Sequence, residues 1–150
     1  MYKMNKRYLV LLVLAIFLTA CDSLNPPQPT PLPYNRFKVE DVFNAFARAG
    51  LAVSGFEQDR TVAREAPRDF QDRYLFEIQR IAPAGGQVII FATPEQRAAW
   101  EAYIEQLLGN SDTRRNVVYT YFHENIMIQL NTGLLTQEAS AYRDALLTVR

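Results

Sequence analysis

The chain has 150 residues, 49% of them apolar and 12% aromatic, with 16 basic residues against 16 acidic ones. That composition excludes a low-complexity disordered polymer, and the charge balance gives no basic field for nucleic acid. One cysteine excludes an internal disulfide, and one histidine leaves metal and triad chemistry short of ligands and bases.

Lys3, Lys6 and Arg7 precede an almost unbroken apolar stretch from Tyr8 to Leu18. The stretch is shorter than the roughly 20 apolar residues that span a bilayer, and it fits the core of a secretory signal. A buried core helix would show an amphipathic stripe, and none is present. Small residues then lead into the cysteine as Leu18-Thr19-Ala20-Cys21. Basic start, apolar run and this tetrapeptide together resemble the leader and lipobox of bacterial lipoproteins. The resemblance covers residues 1–21. It implies a signal peptide over 1–20, cleavage before Cys21, and a diacylglyceryl group on the Cys21 sulfur. The implied location is the extracytoplasmic face of a cell membrane, with the lipid on Cys21 as the membrane partner. Two acyl chains make such an anchor stable where one is marginal. Asp22 resembles the inner-membrane retention signal of some two-membrane bacteria.

Prolines at 26, 27, 29, 31 and 33 follow. Proline fixes φ and lacks a backbone donor, so residues 22–35 read as an extended tether of about 40 Å. A proline-rich ligand for a partner domain is the competing reading. The expected organisation is leader 1–20, lipidated cysteine and tether 21–35, and one globular domain over 36–150. With the three basic residues of the leader set aside, 13 basic residues face 16 acidic ones, a net of −3. Mild acidity argues against attraction to nucleic acid or anionic lipid.

Within the domain, "RFKVEDVFNAFARAGL" repeats Val39, Val42, Phe43 and Phe46 at helical spacing. Glu40 and Asp41 suit the helix start, and Gly50 suits a left-handed terminator with Leu51 as its hydrophobic contact. Lys38 stands where a Ser or Thr cap is expected. "LAVS" is a short, weak strand, and "RYLFEIQRI" alternates Tyr74, Phe76 and Ile78 as a half-buried strand should. Between them, residues 56–73 are charged, mixed in sign and carry Pro67, so a surface excursion of low order is expected, with a short strand there as the alternative. "QVIIFA" is a continuous apolar run fit for a central strand. In "FATPEQRAAWEAYIEQLLGN", Thr93 caps, Pro94 opens the helix and Gln96 completes a capping box. Trp100, Tyr103, Ile104 and Leu107 form its inward stripe, and Gly109 ends it. "NVVYTYF" and "IMIQLN" flank His123-Glu124-Asn125 as a hairpin. A last helix follows Thr136 with Tyr142, Ala145, Leu146 and Val149 inward.

The order α-β-β-β-α-β-β-α predicts an α+β fold: about five mainly antiparallel strands with three helices packed on one face, in two layers. The pattern F-x-x-x-D-V-x-x-A-F-x-x-A-G-L from Phe37 to Leu51, followed by a strand-helix unit, an aromatic hairpin and a closing helix, resembles small bacterial lipoproteins without assigned function. That resemblance implies a fold relation and supplies no catalytic residues.

Chemical motifs are sparse. His123 beside Glu124 at a hairpin tip reads as a solvated turn more readily than as a ligand or base. The serines at 23, 54, 111 and 140 have no G-x-S-x-G context. Glu101 and Glu105 share a helix face, which reads as a solvated stripe. Ala84-Gly85-Gly86 precedes a strand with no lysine after it, so it reads as a hairpin turn instead of a phosphate loop. These residues imply no cofactor, no metal and no enzyme. Arg114 and Arg115 are candidates to grip a phosphate or an acidic partner. Tyr119 and Tyr121, on one face of the strand with Val117, are the aromatic candidates for a binding surface, against packing under the helices or the 56–73 excursion as the alternative. The expected function is a non-enzymatic accessory or protein-binding domain of an envelope lipoprotein, meeting an envelope protein partner. The alternative is a small-ligand binding or sensing domain, with a pocket between the helices and the 56–73 excursion.

Overall fold

The structure, a computed structural model, describes residues 32–150. The predicted leader, Cys21 and most of the proline-spaced segment lie outside the described residues. A compact unit spans Pro33–Arg150, so the folded unit takes in Pro33, Tyr34 and Asn35 from the predicted tether. Among the described residues no helix is long and apolar enough to cross a membrane.

The first helix, α1, runs Val39–Arg48 and buries Val42, Ala45 and Phe46. Lys38 serves its start through the backbone: the Lys38 N–H donates to Asp41 Oδ2 at 2.8 Å. The end is as the sequence predicts. Gly50 has φ +71°, its N–H reaches Ala47 O at 3.0 Å, and the Leu51 N–H reaches Phe46 O at 2.9 Å. Those two bonds satisfy carbonyls that a helix end otherwise leaves open.

Five strands follow as one antiparallel sheet: β1 Val53–Gln58, β2 Asp72–Ile78, β3 Gly85–Ile90, β4 Thr120–His123 and β5 Ile126–Leu130. Their spatial order is β1-β2-β3-β5-β4. The hairpin β4–β5 therefore adds through its second strand, leaving β4 at the edge. Gly85 and Gly86 are the first residues of β3, and the Ala84-Gly85-Gly86 turn is displaced to a short helical turn at Gln79–Ile81. The reason is steric. A Cβ on Gly85 would fall 1.8 Å from the Phe76 carbonyl oxygen, so glycine lets the two backbones close there.

The α+β class, the antiparallel sheet and the order of the long helices and strands match the sequence expectation; the layering does not. Alternate residues of β3 enter two separate cores. Val88 and Ile90 join α1 and the last helix, α4 (Thr136–Leu146), in a core that includes Phe46, Phe76 and Tyr142. Ile89, with Phe91 just past the strand, joins Trp100 and Ile104 of α2 (Pro94–Gly109) on the opposite face. The sheet is thus covered on both sides, and only two of the three long helices share a face. A continuous apolar run on a strand carries this meaning: both faces need cover.

The 56–73 region is also corrected. Its ends belong to β1 and β2, and residues 59–71 lie on the second face with Ala66 and Phe70 buried beside Trp100. Phe70 meets Trp100 edge-on at 6.2 Å. Arg60 donates to the carbonyls of Gln71 and Phe70 at 2.6 and 3.0 Å, so the charged residues tie the segment down.

The predicted strand over 116–122 starts late. Arg114–Val117 forms one helical turn, α3, and β4 begins at Thr120. That turn shifts the alternation, so Val117 joins the second-face core while Tyr119 and Tyr121 pack against the first. The expected Val117-Tyr119-Tyr121 face does not form.

Candidate binding site

A cavity of about 360 Å³ lies between α2, the 59–71 segment and the sheet. Small-molecule sites start near that size, roughly 300 Å³. Trp100, Tyr103, Ile104 and Leu107 line it from α2, the same stripe that reads as inward in the sequence. Val62, Ala63 and Ala66 line it from the segment, and Val117 from α3. Trp100 and Tyr103 meet at 88° with ring centres 5.8 Å apart, which makes one wall aromatic.

The floor is polar. Strand register sets Gln87 of β3 opposite Gln129 of β5, and Gln129 opposite Thr120 of β4, so these side chains share the second face. Arg73 of β2 donates through Nε to Gln87 Oε1 at 2.5 Å. The Gln87 amide N–H in turn donates to Gln129 Oε1, and Gln129 Nε2 donates to the Asn116 carbonyl at 3.2 Å. The string runs in one direction from a cation, so each bond polarises the next. A second, open concavity of about 310 Å³ shares Gln87, Asn116 and Gln129 with the first and continues toward Gly85 and Asn131.

Arg73 is held from the other side as well. Nη1 reaches Asp59 Oδ2 at 3.0 Å, the Asp59 carbonyl at 2.9 Å and the Thr61 carbonyl at 2.6 Å. Asp59 also accepts from the Thr61 N–H at 2.8 Å. That bond, with the Arg73 guanidinium beside it, holds the Asp59 carboxyl below its usual range. Two polar atoms on this face are buried without a partner among the described residues: Trp100 Nε1 and Thr120 Oγ1.

The sequence candidates lie elsewhere. Tyr119 donates to or accepts from Thr136 Oγ1 at 3.2 Å, and Arg143 stands 6.0 Å from the Tyr121 ring centre. Burial raises the Tyr121 hydroxyl above the usual phenol value, with Arg143 opposing the shift. Both tyrosines are half-buried against α1 and α4. Arg114 and Arg115 are exposed on α3, whose Val117 belongs to the other face. Arg114 spends its Nε on the Leu108 carbonyl at 2.7 Å, closing the end of α2. The tyrosines therefore pack on the first face, while Arg114 and Arg115 sit exposed on α3.

His123 is no solvated tip. Its Nε2 lies 3.0 Å from the Val149 carbonyl, which only a protonated Nε2 can satisfy. Glu101 pairs with Arg97 at 2.8 Å on α2. Among the described residues no group of three His, Cys, Asp or Glu side chains is placed to hold a metal. Cys21 lies outside the described residues.

The residues that sequence reading missed are Arg73, Gln87 and Gln129. Each is a polar residue within a largely apolar strand, and two glutamines in "QVIIFA" and "IMIQLN" are a visible irregularity. Their meeting depends on β3 pairing with β5 across an intervening helix, which no local pattern encodes. No family model, curated protein or solved structure matches this chain.

Proposed function

We propose that the protein is a membrane-anchored envelope lipoprotein, held through lipid on Cys21 at the extracytoplasmic face. Its folded unit is a non-enzymatic binding module that takes a small ligand between α2, the 59–71 segment and the sheet. The cavity carries this reading: about 360 Å³, with apolar walls and an oriented polar floor. The test is a thermal-shift screen of metabolites on the full chain, with Ala63→Phe as the blocked variant. Ala63 lines the cavity from an exposed position, so the larger side chain narrows the mouth without entering the core. Compounds that stabilise the parent and not the variant support the reading. A screen with no such compound removes it.

One observation favours the second reading, an envelope protein partner. Val118 and Leu135 are 49% and 67% exposed, and they flank the Tyr119–Thr136 contact in sequence. Exposed apolar groups beside tyrosine suit an interface. Because the tyrosines help hold the first-face core, the informative variant is Val118→Asp. Capture of a specific partner from membranes by the parent, lost with Val118→Asp, supports this reading; unchanged capture removes the surface.

A further inference from the structure

We infer that the cavity selects an apolar monocarboxylate, whose anion meets Arg73 and whose hydrocarbon body lies against Trp100 and Tyr103. This rests on the proposed cavity and adds the chemical class of the ligand. Among the described residues Arg73 is the only charged one lining the cavity, and no carboxylate lines it. Its guanidinium side chain is 12% exposed, whereas that of its countercharge, Asp59, is 30% exposed and nearer water. Water therefore screens the acid more than it screens the base, and the balance inside favours an incoming anion.

The hydrogen-bond ledger points the same way. Guanidinium has five N–H groups. Nε is spent on Gln87 and Nη1 on Asp59 and Thr61, while no bond runs from Nη2 to the described residues. Gln87 and Gln129 each use one of two amide hydrogens on the floor string. Donors are thus in excess around the cavity, and acceptors are what a ligand must bring. A carboxylate supplies them with charge, and charged hydrogen bonds are about twice as strong as neutral ones. A cationic ligand would set its charge against Arg73 and add donors to donors.

Trp100 is the only tryptophan in the chain, so its emission reports on this wall alone. The experiment titrates the full chain, kept in solution by a tryptophan-free amphipol, with three probes of one skeleton: hydrocinnamate, hydrocinnamamide and phenylpropylamine. The expected result is a saturable change in Trp100 emission with hydrocinnamate. Binding of the neutral amide should be about tenfold weaker, and the amine should give no saturation. Ala63→Phe should weaken hydrocinnamate about tenfold as well, and Arg73→Gln should erase the preference for acid over amide. Because Arg73 also anchors the 59–71 segment, the acid–amide–amine comparison on the parent chain decides by itself. Equal binding of the three overturns the carboxylate inference and leaves the cavity reading standing. Silence from all three probes overturns the inference too, and the cavity reading falls with it only if the thermal-shift screen is also empty.

Discussion

Asn125 is a buried polar side chain in an otherwise apolar neighbourhood, and its three bonds explain why. Oδ1 accepts from the Phe37 N–H at 3.2 Å, and Nδ2 donates to the Phe37 and Phe91 carbonyls at 2.9 and 3.4 Å. One side chain thus serves the backbone ahead of α1 as a second strand would. Asn125→Leu leaves a buried N–H and carbonyl at Phe37 without those partners. The expected loss is about 2–4 kcal/mol, read as a lower urea midpoint at unchanged slope. Nothing in "HEN" distinguishes this asparagine from an ordinary turn residue; its role comes from a partner 88 positions away. Glu124 beside it, at φ +50°, is the residue that makes the tight turn. Asp59 is a second case. Its carboxyl is held below the ordinary 3.8 chiefly by the Thr61 N–H, and also by Arg73. A depressed acid contributes stability that is present above its unfolded value and lost as pH falls through its folded value. Hydrogen exchange of residues 59–71 should therefore accelerate as pH drops below the ordinary carboxylate range, after correction for intrinsic exchange. No acceleration there would separate Asp59 from the anchoring of the segment.

At the scale of elements, α2 shows how far local signals reach. Thr93 caps, with its Oγ1 accepting from the Gln96 N–H at 3.4 Å, and Pro94 opens the helix as expected. Gln96 departs by one residue from a capping box: its Oε1 accepts from Ala92 at 2.7 Å, while Nε2 donates to Asp69 Oδ1 at 2.9 Å. The same side chain therefore closes the helix start and ties it to the 59–71 segment. That segment reads as solvated because its charges outnumber its apolar groups. Yet Phe70 is buried against Trp100, and Arg60 stands 5.0 Å from the Phe70 ring centre. Phe70→Ala should cost about 3–5 kcal/mol by the usual cost of emptying a core aromatic site. Limited proteolysis should then cut within 59–71 at lower denaturant than in the parent. If the variant melts like the parent, the segment is not part of the second core.

For the whole molecule, attachment and fold are separable. The proposed lipid on Cys21 would act through acyl chains in a bilayer, whereas the unit from Pro33 onward has its own two cores. Cys21→Ser is expected to move the protein from the membrane to the soluble fraction without changing its melting temperature; mass spectrometry of the parent should find a lipidated amino-terminal cysteine. An unmodified thiol, or a retained leader, would remove the anchor. The sequence by itself determined the types and order of the long helices and the five strands, the Gly50 helix end and the inward stripes of α1, α2 and α4. Those features depend on side-chain periods of 3.6 and 2 and on backbone preferences within a few residues. Only the tertiary structure decided which helix covers which face, that 59–71 closes the second face, and that Arg73, Gln87 and Gln129 line one cavity. Val88 and Ile89 are equally apolar, so the chain's local pattern demands cover on both sides of β3 without naming the cover. That choice is made by strand pairing between distant segments, where burial of the whole sheet is settled at once.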